Sequence, residues 1–271
     1  MSQVLECVVN VSEGRRPEVV AAIAAAAGQA LLDVHSDAHH HRSVLSMAGE
    51  AVEDAARAVA GETLRLVDLS SHGGAHPRMG ALDVVPYVDL DAPASTSGRA
   101  VAARDRFARW AGETLALPCF CYGPERTLPE VRRRAFRGLD PDAGPARPHP
   151  SAGAAAVGAR PVLVAYNLWL AAADVDLARS VAAAIRGPAL RSLGLEVGGR
   201  AQVSCNLVDP GAVGPAAVYD MVAVRAPVHG AELVGLVPAA VLDAAPRHRW
   251  AELDLDPGRT IESRLEERGL R

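Results

Sequence analysis

Aromatic residues make up only 4% of this 271-residue chain, so its core has to close on small aliphatic side chains, alanine above all. Neither sign of charge is in large excess. A formal net charge of −4 gives no general attraction to nucleic acid or to an anionic membrane surface. No stretch approaches an uninterrupted membrane span, and Glu6 and Asn10 interrupt the amino terminus where a signal peptide would carry its apolar run. A cytoplasmic protein with no membrane and no nucleic-acid partner is the expectation. The four cysteines, Cys7, Cys119, Cys121 and Cys205, are too few and too dispersed for a disulfide scaffold. They read as small buried hydrophobes; Cys119 and Cys121 would share a strand face, but no second pair accompanies them to complete a metal site.

Hydrophobic residues make up 49% of the chain, enough to bury a substantial core in one large domain or two lobes. Apolar spacing switches repeatedly between the strand and helix periods. It predicts strands over residues 4–9, 30–35 and 43–47, with a helix opened by Pro17 and running to about Gln29. Val52, Ala55, Ala56, Val59, Thr63, Leu66 and Val67 recur at helical spacing, and Glu50, Glu53 and Asp54 lie where carboxylates favour the helix dipole. A strand over 84–90 follows, then a helix lined by Ala100, Ala103, Phe107, Ala111 and Thr114, a strand over 119–122 and a short basic helix over 131–138. The arginine run in that helix reads as a solvated face. Residues 141–150, rich in proline, glycine and aspartate, break the pattern and read as the boundary between two halves. A second cycle has strands at 161–167, near Leu195, at 201–208 and at 233–237. Its helices fall at about 173–186, 213–224, just after Pro238 and at 260–268. This alternation specifies an α/β (α+β) fold, divided here into residues 1–159 and 160–271.

The chemistry concentrates in residues 70–86, SSHGGAHPRMGALDVVP. Gly73, Gly74 and Gly80 permit close approaches that a Cβ forbids, so this loop can wrap a ligand and hold His72 or His76 against it. Pro77 fixes its own φ and biases His76 toward an extended backbone. An imidazole titrates near neutrality and can take and return a proton; a structural turn whose histidines satisfy backbone groups is the alternative. Asn10, Asn167 and Asn206 each sit in an apolar strand, where a carboxamide costs stability unless its donor and acceptor are both used. Either neighbouring backbone uses them or the three line one cleft. The run His39, His40, His41, with His35 and Asp37 nearby, would put His39 and His41 on one side of an extended segment, as in a metal-dependent hydrolase. His149, His229 and His248 occur singly and add no ligand motif.

HPRMGALDV, residues 76–84, resembles the signature of the formiminotransferases, which pass a formimidoyl group from N-formimidoylglutamate to tetrahydrofolate. ECVVNVSEG at 6–14, HPSAGAAAVGARPVLVAYN at 149–167, AQVSCNL at 201–207 and ELVGLVP at 232–238 are similar to further segments of that family, in the same order. The resemblance implies two lobes, each a β-sheet layered with helices, a substrate cleft between them, and a homodimer. It implies that His76 is the catalytic histidine, acting as base and then as acid, with His72 the lesser candidate and no metal. It also implies that Gly144, Pro145, Ala146, Arg147, Pro148, His149, Pro150, Ser151, Ala152 and Gly153 contact tetrahydrofolate, a co-substrate. Arg42 and Arg78 are candidate partners for the donor's carboxylates through bidentate bonding, with structural ion pairs as the alternative; Asn10, Asn167 and Asn206 complete the candidate substrate-binding set. Three positions depart from the family pattern: His41 and Trp169 each stand for an asparagine, and Ala155 for a threonine. These departures leave open a specialised formimidoyltransferase with another donor or acceptor amine. A metal-dependent formimino hydrolase and a non-catalytic folate-binding paralogue are the readings from other classes, the latter disfavoured by retention of His76. No segment resembles the cyclodeaminase fused to the vertebrate enzymes.

Overall fold

Cys7, Val9 and Val11 are fully buried and alternate with Glu6, Val8 and Asn10, which gives the strand β1 (Leu5–Val11) one apolar face. The structure, a computed structural model, describes residues 4–73 and 78–270. Its chain divides into two compact units, Met1–Pro161 and Val162–Gly269. In the first, β1 is followed by α1 (Pro17–Ala25), β2 (Leu31–Asp37), β3 (Arg42–Ala48), α2 (Val52–Leu66) and β4 (Leu82–Asp89). Then come α3 (Gly98–Thr114), β5 (Cys119–Tyr122), α4 (Leu128–Arg134) and β6 (Ala155–Ala159). The six strands form one sheet in the order β2-β3-β1-β4-β6-β5. Pairing is antiparallel from β2 to β4 and parallel from β4 through β6 to β5. Parallel neighbours need crossovers, and α3 and α4 supply them. Ala55, Ala56, Val59 and Ala60 of α2 and Ala100, Ala103, Phe107 and Ala111 of α3 are buried in one core with the β1 face. Small side chains let both helices lie close to the sheet, as the shortage of aromatics implied.

Two expectations need correcting here. Residues 141–150 are irregular, but they do not part the two units, because β6 follows them and inserts between β4 and β5. Its sequence, AAVGA, is too short and too uniformly small to display alternation. The basic helix begins at Leu128 rather than at Val131, because Thr127 and Glu130 form a reciprocal capping box there. Phe136, at φ +57°, lies in the left-handed region just past its end. Arg133 and Arg134 are exposed as expected, whereas Arg132 turns inward.

In the second unit, β7 (Val164–Leu170), α5 (Val175–Ile185), β8 (Leu190–Val197), β9 (Arg200–Leu207), α6 (Pro215–Ala223), β10 (Val228–Val234), α7 (Ala239–Ala244) and α8 (Ile261–Glu267) follow in order. The sheet is antiparallel, β10-β7-β9-β8. Gly198 and Gly199, at φ +58° and +77°, make the two-residue turn between β8 and β9 that matches strand twist. Strand β10 starts five residues before the expected 233, since His229 and Glu232 hide an edge strand whose position is set by pairing with β7. Tyr166, Leu168, Val203, Cys205 and Leu207 form a second core with Ala178, Val181, Ala182 and Ile185 of α5. All four cysteines are buried and unbridged. Among the described residues no helix is long and apolar enough to cross a membrane.

Candidate active site

The register between β1 and β4 slips at one point: Asn10 faces Val84 while Val11 faces Leu82, leaving Asp83 as the extra residue of a β-bulge. A bulge re-aims a side chain. The Asp83 carboxylate, 1% exposed, accepts Met79 N–H at 2.7 Å, Arg42 Nη1 at 3.1 Å and Arg132 Nη2 at 2.7 Å. Burial by itself would raise its pKa, but Arg42, Arg132 and the Met79 N–H hold it below the usual carboxylate range. Arg42 also donates to Asn10 Oδ1 from Nε at 3.0 Å and from Nη2 at 2.7 Å, while Asn10 Nδ2 donates to Val8 O at 3.2 Å. Burial pushes the Arg42 guanidinium down to about 10, with Asp83 pulling the other way and Arg132 and Arg78 adding repulsion; it stays cationic at neutral pH.

The histidine run is a turn, not an extended segment. Asp37 Oδ1 accepts the backbone N–H of both His39 and His40 at 2.7 Å, and His41 adopts φ +50° to reverse the chain into β3. His39 and His41 therefore do not form the ligand pair that an extended segment would allow, and among the described residues no group of three His, Cys, Asp or Glu could hold a metal ion. Instead the His41 ring stacks on His72, centroids 3.9 Å apart. His41 Nδ1 accepts Gly14 N–H at 3.1 Å. His72 Nε2 donates to Ser12 O at 2.9 Å, and its Nδ1 lies 3.0 Å from Arg78 Nη1. Arg78 also donates to His41 O at 3.2 Å and to His40 O at 3.0 Å. Burial and the neighbouring His72 push the His41 imidazole down to about 4; burial and Arg78 lower His72 as well. Both rings are neutral near pH 7. A Cβ at Gly14 would stand 2.3 Å from Asp37 O and 2.7 Å from Arg42 N, so only glycine lets the turn after β1 pass this close to the β2–β3 turn.

His76 lies outside the described residues, as do Gly74, Ala75 and Pro77; both flanks of the loop are described. Leu69 N donates to Ser151 O at 2.8 Å, Ala81 N to Ala152 O at 2.9 Å and Ala154 N to Met79 O at 3.0 Å. The segment 151–154 thus bonds to both ends of the loop 69–81. Cβ atoms at Gly80 and Gly153 would lie 2.2 Å from Ala154 O and 2.3 Å from Met79 O, and Gly153 sits at φ +68°. His149 and Gly153 exchange two backbone hydrogen bonds, at 2.7 and 2.9 Å, and His149 Nδ1 accepts Ala152 N–H at 3.1 Å. Residues 149–153 are consequently a locked turn. Gly144 to Pro148 and Pro150 are exposed beside it.

Asn167 and Asn206 belong to the second unit and share one sheet face, because Asn167 pairs with Ser204 and Ala165 with Asn206. Asn167 is buried and donates to Glu232 Oε2 at 3.1 Å; Asn206 is exposed. Asn10 belongs to the first unit, with Arg42 and Asp83. Trp169 stands on the same face as Asn167, under Arg200. Sequence reasoning missed Asp83, Glu13 and Arg132. Asp83 was signalled by its place as the one acid in the apolar run 81–88. The signal at Glu13 was an acid just before a proline-started helix: it accepts the backbone N–H of Gly14, Arg15 and Arg16 at 2.9, 2.8 and 3.0 Å. No lysine occurs, so all 28 Lys and Arg residues are arginine, and the site's cations are planar forks.

Residues 4–160 match the family model for the formiminotransferase domain, N-terminal subdomain. The chain is 33% identical to the glutamate formimidoyltransferase of Streptococcus pyogenes serotype M1, over 93% of this chain and 95% of that protein. It is 32% identical to the glutamate formimidoyltransferase of Thermoplasma acidophilum over 97% of both. To the formimidoyltransferase-cyclodeaminase of Gallus gallus it is 36% identical over 90% of this chain, spanning only 52% of that protein's length. A match of this extent, running through both units, means that the chain belongs to the formiminotransferase family and is a transferase enzyme.

Proposed function

We propose that this protein transfers the formimidoyl group from N-formimidoyl-L-glutamate to N5 of tetrahydrofolate, giving 5-formimidoyltetrahydrofolate and glutamate, a step that joins histidine degradation to one-carbon metabolism. The observation that carries the reading is the set of three hydrogen bonds between segment 151–154 and the flanks of the loop 69–81. They join the stretch that resembles the family's folate contact to the loop that bears the signature histidine, although some 70 residues separate them. Relatives named glutamate formimidoyltransferase support the choice of donor.

In this reading N5 attacks the formimidoyl carbon, a tetrahedral intermediate forms, and the glutamate amine leaves. The attacking nitrogen loses a proton and the leaving amine gains one, so one histidine acts as base and then as acid. His76 takes both roles. His72 is less suited, since Ser12 O and Arg78 engage its two nitrogens. Arg42 is held by Asp83 and Asn10, and Arg78 by His40 O and His41 O, so in this reading they lend positive charge to donor binding rather than a free bidentate edge, and Asn167 and Asn206 are the second unit's candidate substrate contacts. Holding two substrates in register supplies much of the rate.

The test is turnover with both substrates on metal-stripped protein. Glutamate should be released in step with 5-formimidoyltetrahydrofolate, and His76→Ala should lower kcat by about two to four orders of magnitude while leaving the circular dichroism unchanged. Near-native turnover in that variant would remove His76 from the mechanism. Donor consumption without tetrahydrofolate that appears only when a divalent metal is returned would replace transfer by hydrolysis.

A further inference from the structure

His41 and His72 take no part in the proton transfer assigned to His76, yet side chains join them to both of its flanks. His72 and Arg78 bracket His76, four residues before it and two after. The His72 ring stacks on His41, with centroids 3.9 Å apart and planes inclined by 23°. Arg78 Nη1 lies against the His72 ring, 3.0 Å from Nδ1 and 2.9 Å from Nε2, and the same guanidinium donates to His40 O and His41 O. Both flanks of His76 are thereby fastened to one turn, residues 38–41. Asp37 Oδ1 holds that turn through two backbone N–H groups, and Gly14 N–H holds the His41 ring.

The fastening lies inside the backbone contacts of the loop. Its outer ends, Leu69, Met79 and Ala81, bond to segment 151–154 through the main chain, whereas His72 and Arg78 bond through an imidazole and a guanidinium. Burial and then Arg78 lower the His72 pKa, and a neutral ring can lie against a cation that an imidazolium would repel. His41 takes φ +50° to present its ring, a left-handed conformation that is costly without glycine and that concentrates at functional sites. We propose that His41, His72 and Arg78 together are positioning residues that fix both flanks of His76 for proton transfer. The inference rests on the assignment of that step to His76. A group that is base and then acid has to reach two nitrogens in turn, and misplacing it by about 1 Å costs on the order of 100-fold.

Steady-state kinetics with each substrate varied in turn, together with amide hydrogen exchange on each protein, tests it. Arg78→Ala and His72→Ala should each lower kcat about 10- to 100-fold and change both KM values by less than about threefold, since the loss falls on positioning and not on ground-state binding. His72→Phe, which keeps the stack, and Arg78→Lys, which keeps the cation, should each recover part of the rate. His41→Asn removes the ring at a φ that asparagine tolerates. Combined with His72→Ala, it should lower kcat by less than the product of the two single effects, as for residues that act through one contact. In Arg78→Ala and His72→Ala the amides of residues 72 and 79 should exchange faster while Ala81 and Ala154 keep their native rates, a pattern that general destabilisation would not give. Unchanged kcat in both folded variants, or a rise in the donor KM without loss of kcat, would overturn the proposal; so would a fall in kcat with native exchange at both amides. If the wild type shows no transfer, or His76→Ala keeps its turnover, the reading of His76 fails separately. The exchange then decides the fastening alone: faster rates at residues 72 and 79 support it, and native rates overturn it.

Discussion

Two half-buried imidazoles stacked at 3.9 Å resist protonation, because a proton on either would face the other ring and Arg78 in a poorly solvated space. His41 titrates at about 4 in the folded protein, against about 6.5 in an unfolded chain. The unfolded state therefore binds more protons in that interval, and stability should fall as pH drops from about 6.5 to about 4. His41→Asn should flatten that slope when urea midpoints are compared at pH 7.5, 5.5 and 4.5; parallel slopes would show that the stack does not set it. Asp83 acts lower. Its carboxyl is depressed, so its contribution is full above the ordinary value of about 3.9 and is lost only as pH falls toward the folded pKa. Asp83→Asn leaves Arg42 and Arg132 without their shared acid and should cost about 3–5 kcal/mol by urea unfolding.

At the scale of elements, the contact between loop 69–81 and turn 149–154 depends on glycine. A Cβ at Gly80 cannot lie 2.2 Å from Ala154 O, so Gly80→Ala should force the two segments apart at about 1–3 kcal/mol. Amide exchange at Ala81 and Ala154, which donate across that contact, should quicken, and turnover should fall further than stability accounts for. Gly61 offers the opposite case. It lies within α2, where an added Cβ meets nothing within 4 Å. Gly61→Ala should stabilise by about 0.5–1 kcal/mol through reduced backbone entropy in the unfolded chain, with activity unchanged.

For the whole molecule, two separate apolar cores carry the thiols. Cys7, Cys119 and Cys121 lie in the first and Cys205 in the second. Burial pushes Cys121 and Cys205 up to about 12 and raises Cys7 and Cys119 as well, which leaves almost no thiolate at neutral pH. A thiol-directed disulfide reagent should therefore label none of the four in the native protein. All four should react in step with the loss of circular dichroism in urea, and rapid native labelling of any one would mean that its core opens locally.

Spacing along the chain determined by itself the order of nearly all the strands and helices, and it singled out the loop around His76, because periodicity and glycine placement act over a few residues. Helix α2 needed only its apolar stripe, and strand β5 only its bounding proline. The tertiary structure decided what depends on partners far off in sequence. It placed AAVGA in the first sheet by pairing it with β4 and β5. It drew Arg132 to a buried carboxylate 49 residues away rather than to solvent. The same long-range pairing turned the histidine run from an extended segment into a reversal, because β2 and β3 are neighbours in one sheet and the chain between them has to turn back within four residues, 38–41. A side chain's choice between water and an opposite charge follows from which strands lie side by side, and local spacing carries no record of that.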